Sequence, residues 1–221
     1  MTEKEDFIIR SPYQKIPEDN VLISQASPTE NQASDWEKSC LRKYKDRLRD
    51  YYLVTQKRRC AYCRTIIKTS QVSPEIEHII AKDLVPKWMY ESFNLCISCK
   101  MCNTKKSIKK VLNHNEYVSL PVTSDSYIIV HPHIDCYSQH IRLIEGILYE
   151  GLTDKGKETI SVCGLDRYEL AADRAEDKIR ECSLQFDKVL LALIEKRERP
   201  LVNFVERLKE RIKQIIEDYK E

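Results

Sequence analysis

Cys60-Ala61-Tyr62-Cys63, Glu77-His78-Ile79-Ile80, Asn94-Leu95 and Cys99-Lys100-Met101-Cys102-Asn103-Thr104-Lys105-Lys106 are the strings that decide the fold, all within residues 60–110. Two Cys-x-x-Cys pairs can bring four thiolates to one tetrahedral Zn²⁺, and such an ion staples a segment with little core of its own. Cys96 complicates the register, because Cys96 and Cys99 also have the spacing of a pair. Cys96 follows Asn94-Leu95 in an apolar run and reads as a buried strand-end residue. The expected zinc ligands are therefore Cys60, Cys63, Cys99 and Cys102.

Inside this staple lie residues able to hold a hard cation and activate water for phosphodiester hydrolysis. A neutral imidazole, with a pKa near ~6.5, can take a water proton at cellular pH, which suits His78. Oxygen donors such as Glu77 and Asn103 suit Mg²⁺ or Mn²⁺, ions that keep several of their own waters. Lys105, Lys106, Lys109 and Lys110 follow at once and could hold phosphates, although each taken singly reads as a solvated lysine.

Composition narrows the remaining choices. Charged residues make up 33% of the 221, and no stretch approaches the ~18 consecutive apolar residues of a membrane span. Met1 is followed by Thr-Glu-Lys-Glu-Asp, too polar for a secretory signal, so a cytoplasmic protein is expected. Nine cysteines then point to metal ligands and buried thiols rather than disulfides. A net charge of +2 does not announce nucleic-acid binding, so any basic surface must be local. The four glycines, Gly146, Gly151, Gly156 and Gly164, cannot build a phosphate-cradling loop. Nucleotide binding is expected of another chain.

The pattern implies an α+β fold. Residues 1–33 read as a flexible polar arm. Residues 34–57 read as a helix opened by a Ser34–Glu37 capping box, with Trp36, Cys40, Tyr44 and Leu48 on one face and many basic residues on the other. Residues 58–112 hold the stapled motif, with strands expected around Thr65–Lys68 and Pro74–Ile80 and a lysine-rich helix over Asn103–Val111. Residues 113–165 read as small strands and turns: Tyr127–Val130, then Ile141–Ile144 and Ile147–Tyr149 turning at Glu145-Gly146, then a short helix capped by Thr153 and closed by Gly164. Residues 166–221 read as helical, broken near Arg199-Pro200. Leu201, Phe204, Val205, Leu208, Ile212, Ile215 and Ile216 form an apolar stripe there, suited to packing or partner docking. His131, His133, Asp135 and His140 could be a second metal cluster; a turn with packed imidazoles is the expected reading.

The stapled motif as a whole resembles the HNH, or ββα-metal, endonucleases of the zinc-stapled subtype over about 50 residues. The resemblance implies His78 as general base, Glu77 and Asn103 as ligands of a catalytic Mg²⁺ or Mn²⁺, and Asn94 as the residue that orients the base region. It implies DNA, or else RNA, as substrate. Many members have Asp where this chain has Glu77 and His where it has Asn103. Residues His131–Asp135, Thr153–Ile160 and Gly164–Arg167 are also similar to the region after the nuclease motif in bacterial anti-phage HNH proteins, the PtuB-like components of Septu and retron-associated systems. That similarity implies an ABC-type, PtuA-like ATPase partner that supplies the nucleotide site. The competing reading is a zinc-stapled binding module without chemistry of its own.

Overall fold

In the computed structural model, residues 7–67, 74–114 and 117–195 are described, together with residues 202, 203, 206, 207, 209, 210, 213 and 214. Residues 7–33, expected as a polar arm, are instead packed and carry helix α1 (Pro17–Ala26). Asp19 anchors them. Its fully buried carboxylate accepts from Ile16 N at 3.0 Å, Tyr13 Oη at 2.7 Å and the Arg47 guanidinium at 2.5 Å. Phe7 and Ile9 are buried as well, with the Arg64 guanidinium 3.4 Å from the Phe7 ring centroid.

Helix α2 (Arg42–Thr55) begins later than the Ser34 signature suggests, after two 3₁₀ turns at Ala33–Glu37 and Ser39–Leu41. The Asp35 carboxylate explains the delay: it accepts from Gln32 N and Ser27 Oγ, each at 2.9 Å, and pairs with Lys38, closing a local turn. Tyr44, Leu48 and Tyr52 then form the buried stripe of α2 that packs on strands β1 (Glu75–His78) and β2 (Leu95–Ser98). Just past α2, Gln56 uses its side-chain amide like a strand. Ile97 N donates to its Oε1 at 2.7 Å, and its Nε2 donates to Ile97 O at 2.8 Å.

β1 and β2 are antiparallel, with Glu77 opposite Cys96 and His78 opposite Leu95. The partner of β1 is thus the Asn94-Leu95 run; at Thr65–Ile67 there is only a single bridge, Ile66 to Arg59, within the first cysteine knuckle. Helix α3 (Lys100–Lys106) follows β2 directly. It starts three residues before the expected lysine-rich helix and stops at Ser107, whose φ of 46° ends the ladder. Tyr127–Val130 is buried at Tyr127, Ile129 and Val130 but is no strand: one bridge joins Tyr127 to Leu112, and Val130 N donates to Thr159 Oγ1 at 2.8 Å instead of to a neighbouring strand.

Helix α4 (Tyr137–His140) leads into a hairpin of β3 (Ile141–Ile144) and β4 (Leu148–Gly151), turning at Glu145-Gly146 as the sequence suggests. Helix α5 (Asp154–Cys163) is capped by Thr153, whose Oγ1 accepts from Gly156 N at 3.1 Å. It closes on Gly164 in the left-handed region, with Leu165 N bonded to Ile160 O. Gly156 is required by close approach, since a Cβ there would fall 1.9 Å from His140 O.

The chain divides into two units, Met1–Ile144 with Leu148–Arg167, and Glu145–Ile147 with Tyr168–Glu221. The second contains helix α6 (Tyr168–Glu195). The apolar stripe at Leu201, Phe204, Val205, Leu208, Ile212, Ile215 and Ile216 lies outside the described residues, as does Pro200. Among the described residues no helix is long and apolar enough to cross a membrane.

Candidate metal centres and catalytic cleft

The first knuckle is a tight turn. Cys60 N donates to Thr65 O at 3.0 Å, Arg64 N to Cys60 O at 3.1 Å, and Arg64 adopts φ 58°. Ala61 N reaches Ile97 O at 3.0 Å and ties the knuckle to β2. Cys99 sits at the N-cap of α3 and Cys102 in its first turn, so the strand-to-helix corner turns the second pair toward the first. The Sγ atoms of Cys60, Cys63, Cys99 and Cys102 all lie within 4.8 Å of one another. Cys96 faces Glu77 across the sheet and stands apart from them, which settles the register.

Four soft donors at this separation, three of them buried, fit a single zinc ion. Hydrogen bonds with Cys102, Cys60 and Cys99 hold the Cys63 thiol well below its ordinary pKa, and Cys99 is lowered as well. Burial raises Cys60, and Cys102 is raised with it, so the four thiols share protons that a bound metal would displace. Arg167 adds a cation to the group: Nη1 and Nη2 each lie 3.8 Å from Cys102 Sγ, and Nη1 donates to Gly164 O at 2.6 Å. Arg167 ends the Gly164–Arg167 string noted in the sequence, but its place beside the tetrad comes only from the closing turn of α5.

Glu77, His78 and Asn103 line one cleft of about 240 Å³, with Lys106, Trp36 and Lys82 among its walls. His78 Nε2 lies 3.1 Å from Met89 O. A carbonyl only accepts, so Nε2 carries the proton and the neutral ring keeps its lone pair on Nδ1. Burial lowers the His78 pKa to about 3, so the ring is neutral at pH 7 but a weaker base than the free imidazole the sequence suggests. Trp36 meets it edge to face, with ring centroids 4.5 Å apart. Asn94 clasps the turn that follows His78. Its Oδ1 accepts from Ile80 N at 2.7 Å, and its Nδ2 donates to Ile80 O at 3.0 Å and to Trp88 O at 3.2 Å.

The acidic side of the cleft is made by β1 and α3. Glu77 is buried, and Lys106 Nζ lies 2.6 Å from its Oε1, with Tyr62 Oη at 3.4 Å. Burial raises the Glu77 pKa, and the Lys106 ammonium opposes that shift. Two positions up the strand, Glu75 Oε2 accepts from Asn103 Nδ2 at 2.6 Å. A carboxylate and an amide oxygen beside one cleft fit a hard divalent ion better than a soft one.

Over 109 residues the chain is 31% identical to the Septu protein PtuB of Bacillus thuringiensis. The match covers 49% of this chain and 37% of that protein, so the chain spans little more than a third of the relative's length. No family model matches the chain.

One of the lysines, Lys106, is placed differently from the expectation. Lys106 is not a phosphate-facing surface residue: it is buried, with its ammonium on Glu77 and on His78 O at 2.9 Å. Lys105 and Lys109 are both exposed, and Lys109 Nζ donates to Val162 O at 3.0 Å, at the carbonyl end of α5. Sequence reasoning also missed Glu75, Trp36 and Tyr62. Glu75 was within reach, because strand alternation puts it on the same face as Glu77.

The histidines of the 131–140 segment are packed imidazoles. His131 stacks on Phe93 with centroids 5.0 Å apart, His133 Nε2 pairs with Leu95 O at 2.8 Å, and His140 Nδ1 pairs with Thr153 Oγ1 at 2.8 Å. Asp135 accepts from His131 N at 2.7 Å and pairs with Lys155 at 3.1 Å. Among the described residues the cysteine tetrad is the one group arranged to hold a metal ion through three or more His, Cys, Asp or Glu side chains.

Proposed function

We propose that this protein is a metal-dependent endonuclease of the HNH kind, working as the nuclease component of a Septu-like anti-phage defence complex with an ABC-type, PtuA-like ATPase. The observation that carries the reading is the convergence of His78, Glu77 and Asn103 on one cleft, with the His78 proton committed to Met89 O and the lone pair left on Nδ1. Nδ1 takes the proton of the attacking water, and Asn94 holds the turn that aims the ring. Glu77 and the Oδ1 of Asn103 would hold Mg²⁺ or Mn²⁺. When bound, that ion offsets the negative charge growing on the phosphate and on the leaving 3′ oxygen. The zinc held by the cysteine tetrad is structural and stays outside the reaction. DNA is taken as the substrate, and the exposure of Lys105 supports a contact between its ammonium and the backbone.

Similarity to PtuB supports the defence setting, and the scarcity of glycine leaves nucleotide binding to the ATPase. One observation favours a second reading, a binding module without chemistry: the buried Lys106–Glu77 pair gives Glu77 a structural partner. The two readings separate on plasmid and oligonucleotide cleavage by the zinc-loaded protein, alone and with its ATPase partner, in Mg²⁺ or Mn²⁺. Cleavage abolished in His78→Ala, with zinc content and melting unchanged, supports the nuclease. Cleavage undiminished in that variant refutes His78 as base. A wild-type protein that binds DNA and partner without cutting establishes the module.

A further inference from the structure

β1 and α3 meet through two rungs. Strand alternation puts Glu75 and Glu77 on one face of β1, and helical spacing puts Asn103 and Lys106 on one face of α3. Glu75 pairs with Asn103 and Glu77 with Lys106, each at 2.6 Å. The second rung neutralises a charge. The first does something else, because a carboxamide has two unlike ends of nearly the same shape.

Only the Oδ1 end of Asn103 can ligate a cation; the Nδ2 end presents two N–H donors. A carboxylate accepts and never donates, so Glu75 can bond only Nδ2. Turning the amide over would set Oδ1 against the Glu75 oxygens and replace a charge-assisted hydrogen bond with a repulsion. With Nδ2 drawn to Glu75, Oδ1 is turned away from that residue. Glu75 and Asn103 are both half-buried, so competing water is restricted.

We infer that Glu75 is a positioning residue: by holding Asn103 Nδ2 it fixes the flip of the carboxamide, so that Oδ1 is presented to a divalent cation beside Glu77. The inference rests on the proposed reading of Asn103 as a ligand. Glu75 acts through Asn103 and is not itself a ligand.

The test is a double-mutant cycle read by Mn²⁺ binding, using electron paramagnetic resonance or calorimetry on the zinc-loaded full chain. Glu75→Gln keeps the shape of the side chain but presents either a donor or an acceptor, and so releases the flip. It should weaken Mn²⁺ binding about 10- to 100-fold, the usual effect of removing an outer-shell partner. In an Asn103→Ala background the same change should cost nothing further. Additive losses would show that Glu75 acts on the cation directly, and an unaltered affinity in Glu75→Gln would show that it does not orient Asn103; either overturns the inference. If Asn103→Ala alone binds Mn²⁺ as wild type does, the proposed ligand itself is wrong, a distinct failure. A metal-free readout accompanies the cycle: the Asn103 Nδ2 protons should resonate downfield in wild type and move upfield in Glu75→Gln. Identical shifts in both proteins would also overturn the inference.

Discussion

The Lys106 ammonium lies 2.6 Å from Glu77 Oε1, and the two side chains keep only 1% and 4% of their exposure. Removing one partner of such a pair leaves an uncompensated charge in the interior, whereas replacing both removes the problem. Lys106→Met should therefore destabilise the fold by about 3–5 kcal/mol, the range for breaking a buried pair. Lys106→Met combined with Glu77→Gln should recover most of that loss. Denaturant melts of the four proteins in the cycle check this; a double variant as unstable as the single would show that packing of the lysine stem, not charge, is what matters.

The cysteine tetrad makes a second prediction. A structural zinc site contributes folding free energy, because its ligands converge only in the folded chain. Cys60→Ser or Cys102→Ser should lose zinc and disorder the knuckle together with the β2–α3 corner, giving a less cooperative melt. Cys96→Ser should keep its zinc, since Cys96 lies opposite Glu77 and apart from the tetrad. Metal content by mass spectrometry decides both; loss of zinc in Cys96→Ser would restore the alternative Cys96–Cys99 register.

What was legible in the sequence had local causes. Cys-x-x-Cys, the Thr153 cap, the Gly164 close and the Glu145-Gly146 turn each follow from the geometry of a few consecutive residues, and each appears where expected. The misreadings concern long-range partners. Lys106 stands in a basic run that looks solvated, and only the pairing of β1 against β2 delivers Glu77 to it. The segment from Phe7 onward buries Phe7, Ile9 and Ala26 as separated anchors with no helical or strand period, so pattern reading found an arm. Trp36 was legible as an apolar helix position, but its place against His78 was not, because it comes from a 3₁₀ turn held by Asp35.

A third prediction concerns pH. Burial lowers the His133 pKa to about 4, against about 6.5 in an unfolded chain, and His131 is depressed by burial as well. Between those values the unfolded chain binds the proton and the folded chain does not, so stability falls as pH falls. The contribution is complete above about pH 6.5 and is lost progressively down to about pH 4. For His133 alone this amounts to about 2 kcal/mol between pH 7 and 5. His133→Gln should lower stability at pH 7, where the imidazole is well packed, and flatten its pH dependence relative to wild type. Urea melts of both proteins at pH 7 and 5 measure the difference; parallel declines would exclude His133 as the source. The comparison is between variants because acid also protonates the zinc thiolates, and that effect is common to both.

The last prediction separates the shape of Asn94 from its hydrogen bonds. Its carboxamide accepts from Ile80 N and donates to Ile80 O and Trp88 O, all in the buried turn that runs from His78 toward Met89. Asn94→Asp keeps the volume but cannot donate, so an ionised carboxylate would face two carbonyls with no counter-charge among those partners. Asn94→Ala leaves Ile80 N and Ile80 O unpaired but adds no charge, while Trp88 O keeps its bond from Glu91 N. Each unpaired buried group costs about 1–3 kcal/mol, so both variants should be clearly less stable than wild type, with Asp the worse near neutral pH. The order should narrow as the pH is lowered and the new carboxyl protonates, since it can then donate to one carbonyl. If the protein is the nuclease proposed above and Asn94 acts only through this clasp, the remaining folded protein should lose cleavage in proportion to the displacement of His78. The His78 ring resonances report that displacement directly, and unmoved resonances alongside lost cleavage would place Asn94 in the reaction itself.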